Sequence, residues 1–274
     1  MYLLFNNELL PEEEFRLPLT NRAFQYNDGF FETVMVVNGK LRFWSDHLDR
    51  MQEAAQALNF NVPSLFLENN FEQVLLNLSH MNGAQASGRL KLKVWRAGAG
   101  LYSPQTSDID WLATAQVASV ATVEPLSIGV CEKIRTAFSP LSHFKGPNSP
   151  IYVLASMDKQ RLKMDDVLLL SSEGYIAELT SSNIFWFKDN ELFTPTLETG
   201  CVNGIMRRNI LRWCESEGIL VRESKAPFTT LFLADEVFSA NVTGIKDIYF
   251  LNGKPLHRHS TLADYFRNQL NMMD

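Results

Sequence analysis

Gly200-Cys201-Val202-Asn203-Gly204-Ile205-Met206-Arg207-Arg208 reads as the start of a helix shaped around an anion. Asn203 is a favoured cap residue, Gly204 lets a ligand approach the backbone, and Ile210, Leu211 and Cys214 follow at helical spacing. The first turn of a helix leaves backbone N–H groups unpaired, here near Ile205 and Met206, and such groups make a ready phosphate site. Arg207 and Arg208 then fall where the helix dipole disfavours positive charge, by roughly a few tenths of a kcal/mol each. Two readings fit these residues: a bound anion that offsets the arginines, or an ordinary capped surface helix with two solvated arginines.

Upstream of this helix, residues 128–134 read as a strand and residues 151–162 as a helix opened by Pro150. Short strands over 167–170, 175–180, 183–187 and 191–193, joined by Glu173-Gly174 and Lys188-Asp189-Asn190 turns, are expected to form an antiparallel sheet. Downstream come strands near 219–222, 236–238 and 248–251 and a last helix near 261–270. The first half reads as strands 2–5 and 31–37, a hairpin at Asn38-Gly39, and a return over 41–44. Ser45 is expected to cap a helix with Leu48, Met51, Ala55 and Leu58 on one face. A second helix carries Phe71, Val74, Leu75, Leu78 and Met81, and both pack on one side of the sheet. Leu90, Leu92 and Val94 alternate with Lys91, Lys93 and Trp95 in a half-exposed strand that runs into a Gly-rich loop, and a further strand covers 111–120. The Glu124-Pro125 step marks a linker. The expected division is a smaller α+β domain over 1–118, a linker over 119–126 and a larger α+β domain over 127–274.

The 274 residues are 46% hydrophobic and 20% charged, the composition of a soluble globular protein. A net charge of −6 without a long basic run speaks against nucleic acid as a partner. No segment approaches the ~18 apolar residues of a membrane span, and the start has no leader pattern, so the expected location is cytoplasmic. Cys131, Cys201 and Cys214 have neither zinc-site nor disulfide spacing and read as reduced, and the five histidines offer no clear ligand pair, so no metal is implied.

Lys145 stands in a Pro- and Gly-rich bend between apolar Phe144 and Pro147. A lysine needs its pKa of ~10.4 lowered to act as a nucleophile at neutral pH, and burial or a nearby cation does this. Most loop lysines are simply solvated, and that reading stands beside the catalytic one. Glu178, among Tyr175, Ile176, Ala177 and Leu179 and followed by Thr180-Ser181-Ser182-Asn183, is a second candidate, with local hydrogen bonding or exposure as the plain alternative. Together a phosphate cradle, an amine nucleophile and a carboxylate for a ring nitrogen are what pyridoxal phosphate requires.

The stretches that carry a likeness are residues 21–33, Asn38-Gly39-Lys40 with His47-Leu48-Asp49-Arg50-Met51, Lys145-Gly146-Pro147-Asn148, residues 174–185 and Gly200 to Arg208. In this order they make the whole chain resemble the class IV aminotransferases, pyridoxal-phosphate enzymes of fold type IV like D-amino acid aminotransferase. That family includes branched-chain aminotransferases and 4-amino-4-deoxychorismate lyases. The resemblance implies two α+β domains with the cofactor in the cleft between them, and a homodimer. It implies that Lys145 bonds the cofactor and later moves a proton, that Glu178 faces the pyridine nitrogen, and that Val202 packs on the ring. It assigns the phosphate to the backbone of Gly204, Ile205 and Met206, to Thr243 in the Asn241-Val242-Thr243-Gly244 turn, and to Arg50. Helical spacing alone puts Arg50 on a solvated flank, so the two readings of that residue differ. Tyr26 and Phe31 are expected to line the substrate pocket.

The Val-Asn-Gly-Ile-Met-Arg form of the cradle and Asn241 resemble the lyases, so the expected reaction is pyruvate elimination from aminodeoxychorismate to leave 4-aminobenzoate. Ser149 departs from the lyase pattern, and no second arginine follows Arg96. Amino-acid transamination with 2-oxoglutarate, of branched-chain or D-amino acid type, is the alternative within the family. A non-catalytic cofactor-binding protein is the alternative outside it. Arg207 and Arg208 are left for a dimer contact or a substrate carboxylate.

Overall fold

The computed structural model describes residues 1–62, 66, 70–118, 124–257 and 259–273. It divides the chain into a unit of Met1–Val120 with Phe144–Pro147 and a unit of Ala121–His143 with Asn148–Met273. Residues 119–123 of the expected linker lie outside the described residues. The Lys145 bend groups with the first unit, where the expected division puts it in the second half of the chain.

In the first unit β1 (Tyr2–Phe5), β2 (Glu8–Pro11), β3 (Gly29–Val37), β4 (Lys40–Leu41), β5 (Ser87–Arg96) and β6 (Ile109–Val117) form an antiparallel sheet of order β2-β1-β6-β5-β3-β4. Asn38 and Gly39 both take positive φ, 49° and 75°, which closes the β3–β4 hairpin as their sequence requires. The return strand is shorter than expected, because α2 (Trp44–Ala57) begins at once. Ser45 does not cap it. Phe43 does, in a left-handed conformation, and its carbonyl accepts the N–H of His47, so Ser45 lies inside the first turn. Neither β2 nor the short helix α1 (Arg22–Tyr26), capped by the Asn21 side chain on the Ala23 N–H, was expected.

Met51, Ala54 and Ala55 of α2 and Phe71, Leu75 and Leu78 of α3 (Asn70–Met81) are buried, as are Leu90, Leu92 and Val94 of β5. Lys91 and Lys93, like Arg89, are exposed as the alternation predicts, but Trp95, expected on the same side, is buried, so the half-exposed pattern ends before it.

The second unit carries β7 (Leu126–Thr136), α4 (Ser149–Leu162), β8 (Asp166–Ser171), β9 (Ile176–Leu179), β10 (Asn183–Lys188), β11 (Glu191–Pro195), α5 (Ile205–Glu217), β12 (Leu220–Ser224), β13 (Glu236–Asn241), β14 (Gly244–Leu251), β15 (Lys254–Pro255) and α6 (Thr261–Met272). Its sheet runs β12-β11-β10-β13-β14-β7-β8-β9, with β15 on β14. Within the expected antiparallel set the β8–β9 and β10–β11 pairs are antiparallel, but β9 and β10 are not neighbours. The sheet as a whole is mixed: β7 pairs β8 and β14 in parallel, and β11 pairs β12 in parallel. A parallel pair needs a crossover, and α4 and α5 are the crossovers of β7–β8 and β11–β12. Ile128, Leu168, Ile184, Trp186, Ile248 and Leu251 fill one core, and Phe185 and Phe238 stack at 5.2 Å. Cys131, Cys201 and Cys214 are all buried and free. Among the described residues no helix is long and apolar enough to cross a membrane.

Candidate active site

In the first unit, Lys145 is placed by backbone. The N–H of Phe31 donates to its carbonyl at 2.9 Å, and Asn27 Nδ2 donates to the Gly146 carbonyl at 2.9 Å. Gly146, at φ 156°, lies so close to β3 that a Cβ there would meet the Gly29 carbonyl oxygen at 2.4 Å. Only glycine permits that approach. Phe144 is buried edge-on against Phe30, with ring centroids 6.3 Å apart. Lys145 is half-buried rather than freely solvated, and its charge acts on His47.

His47 belongs to a buried trio that the sequence reading left without a role. Arg50 Nε and Nη2 donate to the two oxygens of Glu32 at 2.8 and 2.6 Å, and His47 Nδ1 lies 2.6 Å from Glu32 Oε2. Burial alone would raise the Glu32 carboxyl, but the charges and hydrogen bonds of Arg50 and His47 outweigh it and hold it at about 2. Burial lowers His47, with Arg50 and Lys145 adding to the effect against the pull of Glu32. A neutral His47 donates from Nδ1 to Glu32. That leaves Nε2 buried with no hydrogen-bond partner among the described residues.

The sequence did carry a signal for this trio. Glu32 shares its β3 face with buried Phe30, Val34 and Val36, and His47 and Arg50 lie one turn apart on α2. A carboxylate in a buried row demands a cation. Arg50, which helical spacing put on a solvated flank, is only 2% exposed.

Removing the Glu32 carboxylate leaves Arg50 buried without it. Glu32→Ala is expected to cost about 3–5 kcal/mol, read as a lower urea midpoint with unchanged slope. The folded carboxyl lies below its ordinary 4.5. Its stabilisation is therefore complete above about pH 5 and lost as pH falls toward 2. Glu32→Gln is expected to flatten that acid limb, and equal midpoints for wild type and Glu32→Ala would contradict the account.

The open face of the same sheet holds Phe31. Opposite Lys93, Lys91 and Arg89 stand Phe31, Thr33 and Met35 of β3 and Leu112, Thr114 and Gln116 of β6, all neutral. Three like charges at alternate positions lie only ~7 Å from the next, and opposite charge across strands is the usual relief. Lys91 Nζ sits 4.6 Å above the Phe31 ring, and burial, then Lys93 and Arg89, lower its pKa. A cavity of about 220 Å³ is lined by Thr33, Arg89, Lys91, Thr114 and Gln116 together with Met1. Tyr26 is half-buried, with the Arg22 guanidinium 5.0 Å from its ring and Tyr102 at 5.6 Å. Arg22 and Arg96 both hold Asp28, and Arg22 also donates to the Leu101 carbonyl in the loop after β5.

In the second unit Glu178, at the end of β9, is buried. Its Oε1 accepts the Tyr152 hydroxyl at 2.7 Å and its Oε2 the Val202 N–H at 3.1 Å. Burial, then the charge of Glu178, push the Cys201 thiol up to about 12. The Val202 carbonyl accepts from Asn183 Nδ2 at 2.8 Å and from the Gly204 N–H at 2.9 Å. A Cβ on Gly204 would meet Asn183 Oδ1 at 2.0 Å, so glycine is required for the contact with β10. Glu178, Val202 and Gly204 are thus brought together as one laced segment.

Gly204, not Asn203, is the cap residue of α5, and no side chain caps the helix. The Asn203 N–H goes to the His143 carbonyl, and its Oδ1 accepts from Arg207 Nη1 at 3.4 Å. Arg207 is buried and paired with Glu223 of β12, so its charge is offset inside the unit and needs no bound anion. Thr243 N–H and Oγ1 both donate to Asn241 Oδ1, and Asn241 Nδ2 donates to the Ser181 carbonyl, which ties that turn to the β9–β10 connection.

These residues fit pyridoxal phosphate. A helix of 13 residues begins at Ile205 and Met206 without a side-chain cap, which suits a phosphate. A buried carboxylate held by neutral donors suits a protonated ring nitrogen.

Residues 29–246 match the sequence profile described as Amino-transferase class IV. The chain is 30% identical over 232 residues to an aminodeoxychorismate lyase of Vibrio harveyi, covering 82% of this chain and 83% of that one. It is 26% identical over 251 residues to a D-alanine aminotransferase of Bacillus licheniformis, covering 89% and 85%. A branched-chain aminotransferase structure from Thermoproteus uzoniensis superposes with a TM-score of 0.86 at 20% identity, covering 100% of this chain and 96% of that one. Fold, uncapped helix start and matched profile agree: the chain belongs to the class IV aminotransferase family of pyridoxal-phosphate-dependent enzymes.

Proposed function

We propose that the chain is an aminodeoxychorismate lyase that releases pyruvate and leaves 4-aminobenzoate, acting as a cytoplasmic homodimer. The observation that carries this reading is the 30% identity to the Vibrio harveyi lyase across four fifths of both chains. The open sheet face supports it, since a substrate with two carboxylates suits Arg89, Lys91 and Lys93 around Phe31 better than an apolar amino donor does. Exposed Val153, Leu154 and Met157 on α4 support a second copy, and three buried free cysteines support a reducing compartment.

When bound, pyridoxal phosphate supplies an electron sink, provided its pyridine nitrogen is protonated. In this reading Ile205 and Met206 N–H groups, Gly204, Thr243 and Arg50 hold the phosphate, with Asn241 fixing Thr243. Val202 packs on the ring and Glu178 holds the proton on the ring nitrogen. Lys145 Nζ would take a proton from the carbon bearing the substrate amine and deliver one to the methylene carbon of the departing enolpyruvyl group, which leaves as pyruvate. Tyr26 and Phe31 line the substrate pocket.

Incubation with aminodeoxychorismate is expected to give pyruvate, and its absence would defeat the lyase reading. The likeness to a D-alanine aminotransferase favours a second reading, transamination. Glutamate formed from 2-oxoglutarate across a panel of amino donors, without pyruvate from aminodeoxychorismate, establishes that reading instead. A chain that binds the cofactor and gives neither product is a non-catalytic cofactor-binding protein.

A further inference from the structure

Tyr152 lies in the first turn of α4, and its hydroxyl reaches Glu178 Oε1 at 2.7 Å, while the Val202 N–H reaches Oε2 at 3.1 Å. Each carboxylate oxygen therefore has a donor supplied by a different element: the α4 helix for one, the segment before α5 for the other. A glutamate has three side-chain torsions, and donors at both oxygens restrict it to a single orientation. Burial, then the charge of Glu178, drive ionisation of the phenol far above its ordinary range, so Tyr152 keeps its proton and always donates.

We propose that Tyr152 is a positioning residue: its hydroxyl holds Glu178 and weakens it as a base, so that the proton shared with the pyridine nitrogen of pyridoxal phosphate stays on the ring. The inference rests on the assignment of Glu178 to that nitrogen. A carboxylate that accepts two hydrogen bonds is a weaker base than one that accepts a single bond. Without the Tyr152 hydroxyl, Oε1 competes better for the shared proton, and the ring moves toward its neutral form. Tyr152 itself touches neither the ring nor the substrate in this scheme; it acts through Glu178.

The test uses the protein loaded with ¹⁵N-labelled pyridoxal phosphate and reads the ring-nitrogen resonance, which reports protonation directly. In wild type the resonance is expected at the pyridinium position. In Tyr152→Phe it is expected to move toward neutral pyridine, with kcat reduced about tenfold and KM within about twofold. Tyr152→3-fluorotyrosine, a stronger donor of nearly the same shape, is expected to keep the wild-type position, and it serves if removal of the hydroxyl impairs folding. A resonance unmoved in loaded Tyr152→Phe overturns the inference, as does a 3-fluorotyrosine variant that moves toward neutral pyridine. Glu178→Ala separates the two assignments. If it shifts the resonance while Tyr152→Phe does not, only the role of Tyr152 fails; if neither shifts it, the assignment of Glu178 fails as well.

Discussion

Lys145→Ala is expected to end turnover, to below about 10⁻⁴ of the wild-type rate, and to abolish the visible band that borohydride removes from the wild-type protein. Proton transfer by a positioned side chain is alone worth roughly 10²–10⁴, and in the proposed role this lysine is also the nucleophile that holds the cofactor. The loss is chemical rather than structural. The bend is held by the Phe31 N–H on the Lys145 carbonyl, by Asn27 on the Gly146 carbonyl and by the approach of Gly146 to Gly29. None of these uses the lysine side chain. Circular dichroism of the variant should therefore match wild type, and a borohydride-sensitive band that survives in Lys145→Ala would show that another residue bonds the cofactor.

Glu178→Ala has the opposite spectral outcome. The band is expected to remain, because Lys145 is intact, while turnover falls about 10²–10³-fold, the range seen when one preorganised electrostatic partner is removed. The direction follows from what the truncation leaves behind. Tyr152 Oη and the Val202 N–H, which now point at the carboxylate, are both donors. A donor pairs with an unprotonated ring nitrogen and opposes the charged one, so the electron sink weakens even with the cofactor bound. Pyruvate release at the wild-type rate would refute the role assigned to Glu178.

Local chemistry explains what could be read from the chain. Asn38-Gly39 closes its hairpin because both positions tolerate positive φ, and Leu90, Leu92 and Val94 face the core because strand alternation leaves them no other side. The parallel pairings were also written in the order of elements, strand–helix–strand for both β7–α4–β8 and β11–α5–β12. They were missed because the short strands between them carry hairpin turns. Phe43 defeats a cap rule, since its left-handed backbone starts α2 one residue before the polar residue that propensity favours. Asn203 departs from the cap rule for a related reason: its own N–H goes to the His143 carbonyl, the next N–H goes to Val202, and its side-chain oxygen accepts from Arg207.

The chain points to candidates where one side chain suffices and falls short where pairs decide. Lys145 and Glu178 stand out as candidates by chemical type and setting, with a solvated or locally bonded side chain as the plain alternative for each. Tyr152 does not, because on α4 nothing but its distance from Glu178 distinguishes it from an ordinary aromatic. Arg50 needed Glu32 to explain its burial, and the two are 18 positions apart.

The membership of Phe144–Pro147 in the first unit bears on the order in which the chain can fold as it is made. The six strands of the first sheet are complete once residue 117 has been synthesised. The peptide that accepts the Phe31 N–H, and the ring that packs edge-on against Phe30, arrive only about thirty residues later, after β7 has been made. An N-terminal unit emerging from the ribosome thus has a finished sheet with one unfilled place at the start of β3. The Lys145 bend is set in that place last, as a late insertion that completes the nascent fold.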